Sequence, residues 1–381
     1  MNSTPASPPD PLRRSDAMAG WRTGRWRGAN LFQRCLGDYD HDADLVATGA
    51  VVPRYTTADL EALAATGANM VVLSHPGVYT ESPPYRQDPA VAANLIHLLD
   101  QVDRVGLRAV VALRTGPGRS EITFVRGDVG RYYAAEDLIE TVWTDPVAQD
   151  AWVAMWTYLA TTIGGHPAVV GYDLMVEPNA SVVVGPDDPD AFDRRHRGSS
   201  ADWGSFQARL AAAIRAVDPE TPILVEPDGW ATPAWLPLLP PPAVSNTVDV
   251  VHLYTPYEYT NETGRAGGSG AAVEEFTAAL RSAIDRSAVR GVPLAVLELG
   301  VTGERPGGGD YLDRVLESVE RAGVSWAMWM WEPAASPGWP HDPLALTALS
   351  GRDDPRMAAC RRHWSAPTAV ATGTARPRHR P

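Results

Sequence analysis

Two glutamates of the sequence stand where an apolar run gives way to polar residues. Glu177 ends the run AVVGYDLMVE and precedes a proline, and Glu298 lies near the end of the run PLAVLELG. Two carboxyl groups about 5 Å apart can cleave a glycosidic bond with retention, because one protonates the leaving oxygen while the other attacks the sugar carbon. A single glutamate in such a place is more often part of a surface salt bridge. The pair predicts this chemistry if the fold brings both residues to one site.

Aromatic and basic side chains end several other apolar runs. His252 and Tyr254 close the run VDVVHLY, and Trp329 and Trp331 close the run VSWAMWMW. Indole rings stack on the C–H faces of sugars, so the chain's 13 tryptophans suit a carbohydrate-binding cleft. Further candidates for supporting or binding a substrate lie at or just after the ends of three other runs: His75, Arg114, Glu226 and Trp230.

The elements that must position these residues are eight short apolar runs separated mostly by helical patterns. The runs are 29–32, 68–74, 107–114, 168–177, 222–226, 248–254, 293–300 and 324–331. They lack a two-residue alternation, which is typical of strands buried on both faces of a parallel sheet. Three of the helical segments between them begin at threonine or Asp-Pro and end at glycine. The alternation predicts an α/β fold, a single (β/α)8 TIM barrel with its active site at the carboxyl ends of the strands. An open doubly wound sheet is less favoured, because no glycine-rich nucleotide loop follows the first strand.

Composition bounds the rest of the molecule. We expect disordered segments at 1–20 and 366–381, rich in Pro, Ser and Ala, on either side of a barrel domain over 21–365. A net charge of −13 makes nucleic acid and anionic membranes unlikely partners. No run approaches the ~18 apolar residues of a membrane span, and the first 20 residues have no apolar core like that of a secretory signal, which favours the cytoplasm.

The two cysteines, Cys35 and Cys360, have no metal-binding spacing, and two free thiols are the better prediction than a disulfide. We expect neither a metal nor another cofactor. The substrate is expected to be a small molecule or an oligosaccharide, and the oligomeric state stays open.

Residues 28 to about 335 resemble the family-5 glycoside hydrolases, the cellulase family of clan A. The most specific stretch is ILVEPDGWATPAWLPLLPPPAVSNTVDVVHLYTPYEYTNE, which is similar to the passage from strand 5 to strand 6 in bacterial members. PLAVLELGV resembles the strand that carries the nucleophile, and SWAMWMWEP resembles the strand 8 segment with its sugar-stacking tryptophan.

The resemblance implies a role for each matched residue. Glu298 would be the nucleophile, and Glu177 the general acid/base with a raised pKa. Tyr254 would hydrogen-bond the nucleophile, and His252 would lie beside the acid/base. Trp329 would form the floor of the sugar subsite, with Trp331 as second choice.

Three positions depart from the family pattern. Val176 stands where the family has an asparagine that holds the sugar 2-hydroxyl, and Val72 stands where it has an arginine that supports the nucleophile. Strand 3, which usually ends in histidine, here ends in Arg114 and Thr115. We expect Arg114 to replace the missing arginine from the neighbouring strand, because adjacent strands lie about 5 Å apart.

Three other polar residues have more modest expectations. Glu226 is expected to be a wall or a loop anchor, Asp173 a group in the barrel interior, and Asn179 a brace for the loop after Glu177.

The leading functional prediction is a retaining β-glycoside hydrolase that acts on a small or unusual glycoside. Two alternatives stay open. One is a barrel repurposed for non-glycosidic acid/base chemistry on an apolar small molecule, since fold does not fix function. The other is a non-catalytic carbohydrate-binding barrel, against which the retention of both glutamates counts.

Overall fold

A computed structural model describes residues 14–35, 51–121, 139–186, 188–261, 268–334, 342–347 and 354–366. Eight parallel strands close into a barrel in which each strand pairs with its neighbours in chain order. The strands are β1 (Arg27–Phe32), β2 (Met70–Pro76), β3 (Arg108–Thr115), β4 (Val169–Asp173), β5 (Ile223–Val225), β6 (Thr247–Leu253), β7 (Leu294–Leu299) and β8 (Ser325–Met328). The predicted (β/α)8 barrel is confirmed, and every predicted run overlaps one barrel strand.

Helices connect the strands and surround them. They are α1 (Arg14–Arg22), α2 (Thr57–Ala64), α3 (Pro89–Arg104), α4 (Pro146–Ile163), α5 (Ala180–Val184), α6 (Pro189–His196), α7 (Trp203–Val217), α8 (Asp228–Ala231), α9 (Tyr257–Thr260), α10 (Ser269–Arg290), α11 (Gly308–Arg321) and α12 (Pro355–Trp364). Two 3₁₀ segments, Thr141–Trp143 and Pro233–Leu238, and two pairs of two-residue strands complete the elements of the described residues.

The sequence signals at the helix starts act as predicted. Asp88 and Asp145 each accept a hydrogen bond from a backbone N–H of the first turn of α3 and α4, and a proline follows each of them. Thr56 and Asp59 form a reciprocal capping box at the start of α2. Such caps satisfy N–H groups that have no partner within the helix, so they fix where each helix begins.

The barrel interior is filled by apolar side chains from β2 to β8 and from the segment after β4. They are Met70, Val72, Val110, Ala112, Val170, Val176, Leu224, Val248, Val250, Ala295, Leu297 and Ala327. Helix α1 closes the amino-terminal end of the barrel, where Trp21 donates from Nε1 to the Val170 carbonyl at 2.9 Å. One end of the barrel is therefore apolar and sealed, and functional groups are left to the other end.

The predicted boundary at residue 20 is wrong, because residues 14–20 belong to helix α1 and the buried Trp21 anchors that helix to the barrel. Ala366 accepts a hydrogen bond from Arg27 at 3.0 Å. The rest of both predicted tails, 1–13 and 367–381, lies outside the described residues. No disulfide joins Cys35 and Cys360, as predicted. Within the described part of the chain, no helix combines the length and apolarity needed to cross a bilayer.

Candidate active site

The carboxyl ends of β4, β6 and β7 bring three titratable side chains together. Glu177 lies four residues beyond β4, and Glu298 and His252 lie on β7 and β6. An irregularity in the β6–β7 pairing after Val251 places His252 opposite Glu298. One oxygen of each glutamate and one ring nitrogen of His252 all lie within 4.8 Å of one another. The two predicted catalytic carboxylates therefore occupy one site.

Glu177 is held from two directions. Its Oε1 lies 2.9 Å from Nδ1 of His252, and its backbone N–H donates to Oε2 of Glu226 at 2.5 Å. The backbone of Glu177 has φ 51°, a left-handed conformation that residues other than glycine seldom adopt. The carbonyl of the following Pro178 accepts a hydrogen bond from the backbone N–H of Trp230 at 3.2 Å. The loop that carries Glu177 is therefore hydrogen-bonded to the segment after β5.

Glu298 is held by different partners. Arg114 donates from one guanidinium nitrogen to Oε1, and Tyr254 donates its hydroxyl proton to Oε2 at 2.9 Å. Nδ1 of His252 lies 3.5 Å from Oε2. Two donors on the carboxylate favour its ionised form, which is the form a nucleophile needs.

Arg114 is the cation at the centre of the site, on the strand next to the one where the sequence lacks an arginine. Besides Glu298, it donates to the Ser74 hydroxyl and to Glu121 at 2.7 Å. Its guanidinium carbon lies 4.4 Å from the ring centroid of Trp329 and 5.3 Å from that of Phe32. A delocalised cation is well suited to such aromatic faces. The predicted proximity of Arg114 to Glu298 is therefore present in the geometry.

The two carboxylates have opposite electrostatic environments. Burial alone would raise the pKa of Glu177, but the hydrogen bond from His252 and the charges of His252 and Arg114 outweigh it and leave that pKa below its ordinary value. Burial raises the pKa of Glu298 to about 7. The charges of His252 and Arg114 lower this pKa, and those of Glu177 and Glu226 raise it. The raised pKa expected for Glu177 is wrong for the free site, because the His252 cation stabilises its carboxylate.

The partners keep definite protonation states. Burial would lower the pKa of His252, but Glu226, Glu298 and the hydrogen bond to Glu177 raise it well above its ordinary value. Burial and the Glu298 charge raise the pKa of Tyr254 well above its ordinary value, so Tyr254 is a neutral donor. At neutral pH, the acidic proton beside Glu177 is held by His252.

Comparison with known proteins decides the family. The family model described as "Cellulase (glycosyl hydrolase family 5)" matches residues 39–335. The chain belongs to the cellulase family. Comparison with curated protein sequences finds no significant match.

Solved structures of cellulases share the fold. The endoglucanase Cel5A of Pseudomonas stutzeri in complex with cellobiose is 20% identical, with a TM-score of 0.64 over 89% of this chain and 92% of that chain. Cel5A of Thermotoga maritima in complex with a mannotriose substrate is 14% identical, with a TM-score of 0.64 over 91% and 100% of the two chains. Family membership supports glycoside hydrolase function, while identities this low show only a common fold.

Two predicted site residues of this cellulase-family chain lie elsewhere. Trp331 is buried outside the barrel, where its Nε1 donates to the Asp59 carbonyl of α2 at 3.2 Å. His75 points out of β2 towards α3 and lies 2.9 Å from the amide nitrogen of Asn94. Burial lowers the pKa of His75 to about 4, so it is a neutral structural residue. Neither residue contacts the carboxylates, and assigning them to the cleft was wrong.

The other predicted residues keep their place near the site. Trp329 is half-buried against Arg114, and Glu226 anchors the loop of Glu177 as one of its expected roles requires. Asn179 braces the same loop, since it accepts from Trp143 Nε1 at 2.8 Å and donates to the Glu121 carbonyl. Trp230 is half-buried in a left-handed turn in α8.

Sequence reasoning assigned no role to two partners of Arg114. Ser74 lies two residues beyond Val72 on the same inward face of β2, so strand alternation could have identified it. Glu121 lies in the loop after β3, and no local pattern connects it with the residue seven positions earlier. Val72 and Val176 are both buried among the apolar side chains of the barrel interior.

Proposed function

We propose that the protein is a retaining β-glycoside hydrolase with Glu298 as nucleophile and Glu177 as general acid/base. The observation that carries this proposal is the approach of the two carboxylates and His252 within 4.8 Å, with Arg114 and Tyr254 donating to Glu298. Inverting enzymes need a wider gap, because a water molecule must fit between the sugar and the base.

In the first step, Glu298 attacks the anomeric carbon while the glycosidic oxygen leaves. The proton for that oxygen comes from Glu177, which receives it from Nδ1 of His252 across 2.9 Å. In the second step, the Glu177 carboxylate takes a proton from water, and the resulting hydroxide displaces Glu298 from the sugar. Both steps are proton transfers and displacements, and they require no cofactor.

The substrate is proposed to be a small or unusual glycoside, or a short oligosaccharide. The cellulase-family structures described with cellobiose and mannotriose support an oligosaccharide. Val176 cannot hydrogen-bond a sugar hydroxyl in the way that an asparagine would, so this chain must hold the sugar by other groups. Trp329 offers an aromatic face next to Arg114 for that purpose.

Mechanism-based labelling tests the proposal. The protein is incubated with a panel of aryl β-glycosides and with the matching 2-deoxy-2-fluoro glycosides, and the intact mass and peptide map are recorded. We expect turnover, together with one covalent sugar on Glu298 and none in Glu298→Gln. A sugar on another residue, or turnover without any adduct and with inversion of the product anomer, would contradict it.

A second function rests on the two valines. Because Val72 and Val176 replace polar residues, the same carboxylates could perform acid/base chemistry on an apolar small molecule. Turnover of a non-glycosidic compound that is lost in Glu177→Gln, without any glycoside turnover, would favour that function. Sugar binding without any turnover would favour a carbohydrate-binding barrel instead.

A further inference from the structure

Four side chains from the ends of three neighbouring strands form a chain of contacts that ends at the acid/base, Glu177. Asp173, the last residue of β4, lies within hydrogen-bonding reach of the Glu226 carboxyl group after β5. Oε1 of Glu226 lies 3.1 Å from Nε2 of His252 on β6, and Nδ1 of His252 lies 2.9 Å from Oε1 of Glu177. The chain therefore joins two carboxyl groups below the site to the acid/base above it.

Burial fixes how protons are distributed along this chain. Asp173 and Glu226 are each 1% exposed and His252 is 4% exposed, so water cannot screen their charges. Two carboxyl groups that hydrogen-bond each other must share a proton. Burial and the Glu226 charge raise the pKa of Asp173 well above its ordinary value. Asp173 is therefore the neutral donor, and Glu226 carries the negative charge that faces His252.

Glu226 also fixes the backbone of the acid/base. Its other oxygen accepts the N–H of Glu177, the residue with the left-handed φ of 51°. One carboxylate thus orients Glu177 through the main chain and balances the charge on His252 through space. A wall residue would have neither contact.

We propose that Glu226, with Asp173 as its donor, is a positioning residue that keeps the acid/base proton on the His252–Glu177 pair. The inference rests on the proposed function and adds to it the origin of the proton. Without the Glu226 charge, His252 would face only the two catalytic carboxylates and would lose its proton at lower pH.

Some of the other charged groups around His252 raise its pKa and others lower it. Glu177 and Glu298 face it from the ends of β4 and β7, and Glu121 pairs with Arg114. Arg114 on β3 lies 4.0 Å from Glu177 and opposes a second positive charge nearby. Tyr254, one residue beyond the end of β6, is neutral. Among these groups, Glu226 alone contacts Nε2 of His252.

The first test follows His252 directly and requires no turnover. The protein is labelled with ¹⁵N-histidine, the resonances are assigned with His252→Asn, and the imidazole is titrated between about pH 6 and pH 9. We expect His252 to stay doubly protonated across this range in the natural protein. In Glu226→Gln, which keeps an oxygen for the Glu177 N–H, the titration midpoint of His252 should fall into this range. An unchanged titration would overturn the proposal.

Two further variants test the role of Asp173 and the specificity of the effect. Asp173→Asn keeps a neutral donor, so His252 should stay protonated, whereas a titrating His252 in this variant would show that Asp173 is not a neutral donor. Asp249→Asn is the matched control. Asp249 is a buried carboxylate at the start of β6 that pairs with Arg290 at 2.9 Å, and its loss should leave the His252 titration unchanged.

Kinetics then separate positioning from folding. In Glu226→Gln, kcat/KM should fall about 10- to 100-fold for glycosides with poor leaving groups and much less for activated aryl glycosides, because only the former need the proton. The alkaline limb of the pH profile should move to lower pH. An equal loss on both substrates with an unmoved limb would indicate a merely structural role. If no glycoside is turned over, the proposed function fails, while the NMR titration still decides whether Glu226 holds the proton.

Discussion

The two carboxylates of the site are supported in parallel but by different cations. Glu177 faces His252, which is backed by Glu226, and Glu298 faces Arg114, which is backed by Glu121. Histidine can give up its proton near neutral pH, whereas arginine cannot. The Glu177 half is therefore built to move a proton, and the Glu298 half is built around a cation that keeps its charge. The difference between the cations, more than the glutamates themselves, supports the assignment of roles.

Exchanging each glutamate for its amide should give the largest effects and the clearest contrast. Glu298→Gln should lower kcat/KM by about 10⁴-fold or more on every glycoside, because no nucleophile is left. Glu177→Gln should lower it by about 10²- to 10⁴-fold for poor leaving groups and far less for activated aryl glycosides. Initial rates on a series of aryl glycosides with graded leaving groups measure this. If both variants depended equally on the leaving group, the assignment of different roles to Glu177 and Glu298 would be wrong.

Removing the permanent cation should have the next largest effect. Arg114→Met deletes the donor to Glu298 and leaves a buried carboxylate without its cation, so kcat should fall about 10²- to 10³-fold. Arg114→Lys keeps a charge but loses the fork and the flat contact with Trp329, and should recover only part of the activity. Thermal unfolding of both variants controls for folding. Full activity in Arg114→Met would show that Arg114 does not replace the arginine missing from β2.

The pH dependence of kcat/KM tests the Glu298 half of the site with a smaller expected effect. Glu298 must be ionised to attack, and its pKa is raised to about 7, so kcat/KM should rise with pH and level off above that value. Tyr254→Phe removes the hydroxyl that donates to Oε2 at 2.9 Å, which favours the protonated carboxyl and raises its pKa. We expect an activity loss of about tenfold and an acidic limb displaced to higher pH. A limb displaced to lower pH would contradict the role of Tyr254.

Much of this arrangement could be predicted from the sequence, because it depends on the ends of buried strands. The alternation of apolar runs and capped helices predicts the barrel, and the barrel places Glu177, His252, Tyr254 and Glu298 at one end. The electrostatics could not be predicted in this way. The pKa of Glu177 depends on which ring nitrogen of His252 faces which carboxylate. That orientation depends on the irregularity in the β6–β7 pairing after Val251.

The two misplaced residues have different physical reasons: Trp331 lies beyond the end of its strand, whereas the outward position of His75 follows strand alternation. Strand β8 ends at Met328, so the side-chain direction of Trp331, three residues further on, no longer follows the barrel pattern. On β2, Val72 lies in the barrel interior and Ser74 reaches Arg114, so the intervening positions and His75 face the helices. The β2–β3 register also shifts between His75 and Pro76. Local irregularities of this kind have no clear sequence signature.

The two tryptophans near the end of β8 give the smallest and most specific contrast. Trp329 lies on the guanidinium of Arg114 at 4.4 Å, whereas Trp331 packs against α2 and donates to the Asp59 carbonyl. Trp329→Phe keeps an aromatic face but a smaller one, so we expect KM to rise roughly 3- to 10-fold with little change in unfolding temperature. Trp331→Phe removes a buried hydrogen bond to the Asp59 carbonyl and leaves a smaller ring in the core, so it should lower the unfolding free energy by about 1 kcal/mol or more with KM unchanged. Thermal unfolding and Michaelis–Menten kinetics on one aryl glycoside separate the two effects. If KM rose in Trp331→Phe but not in Trp329→Phe, the sugar would bind on the Trp331 side of β8. The site around Glu298 would then lack an aromatic floor.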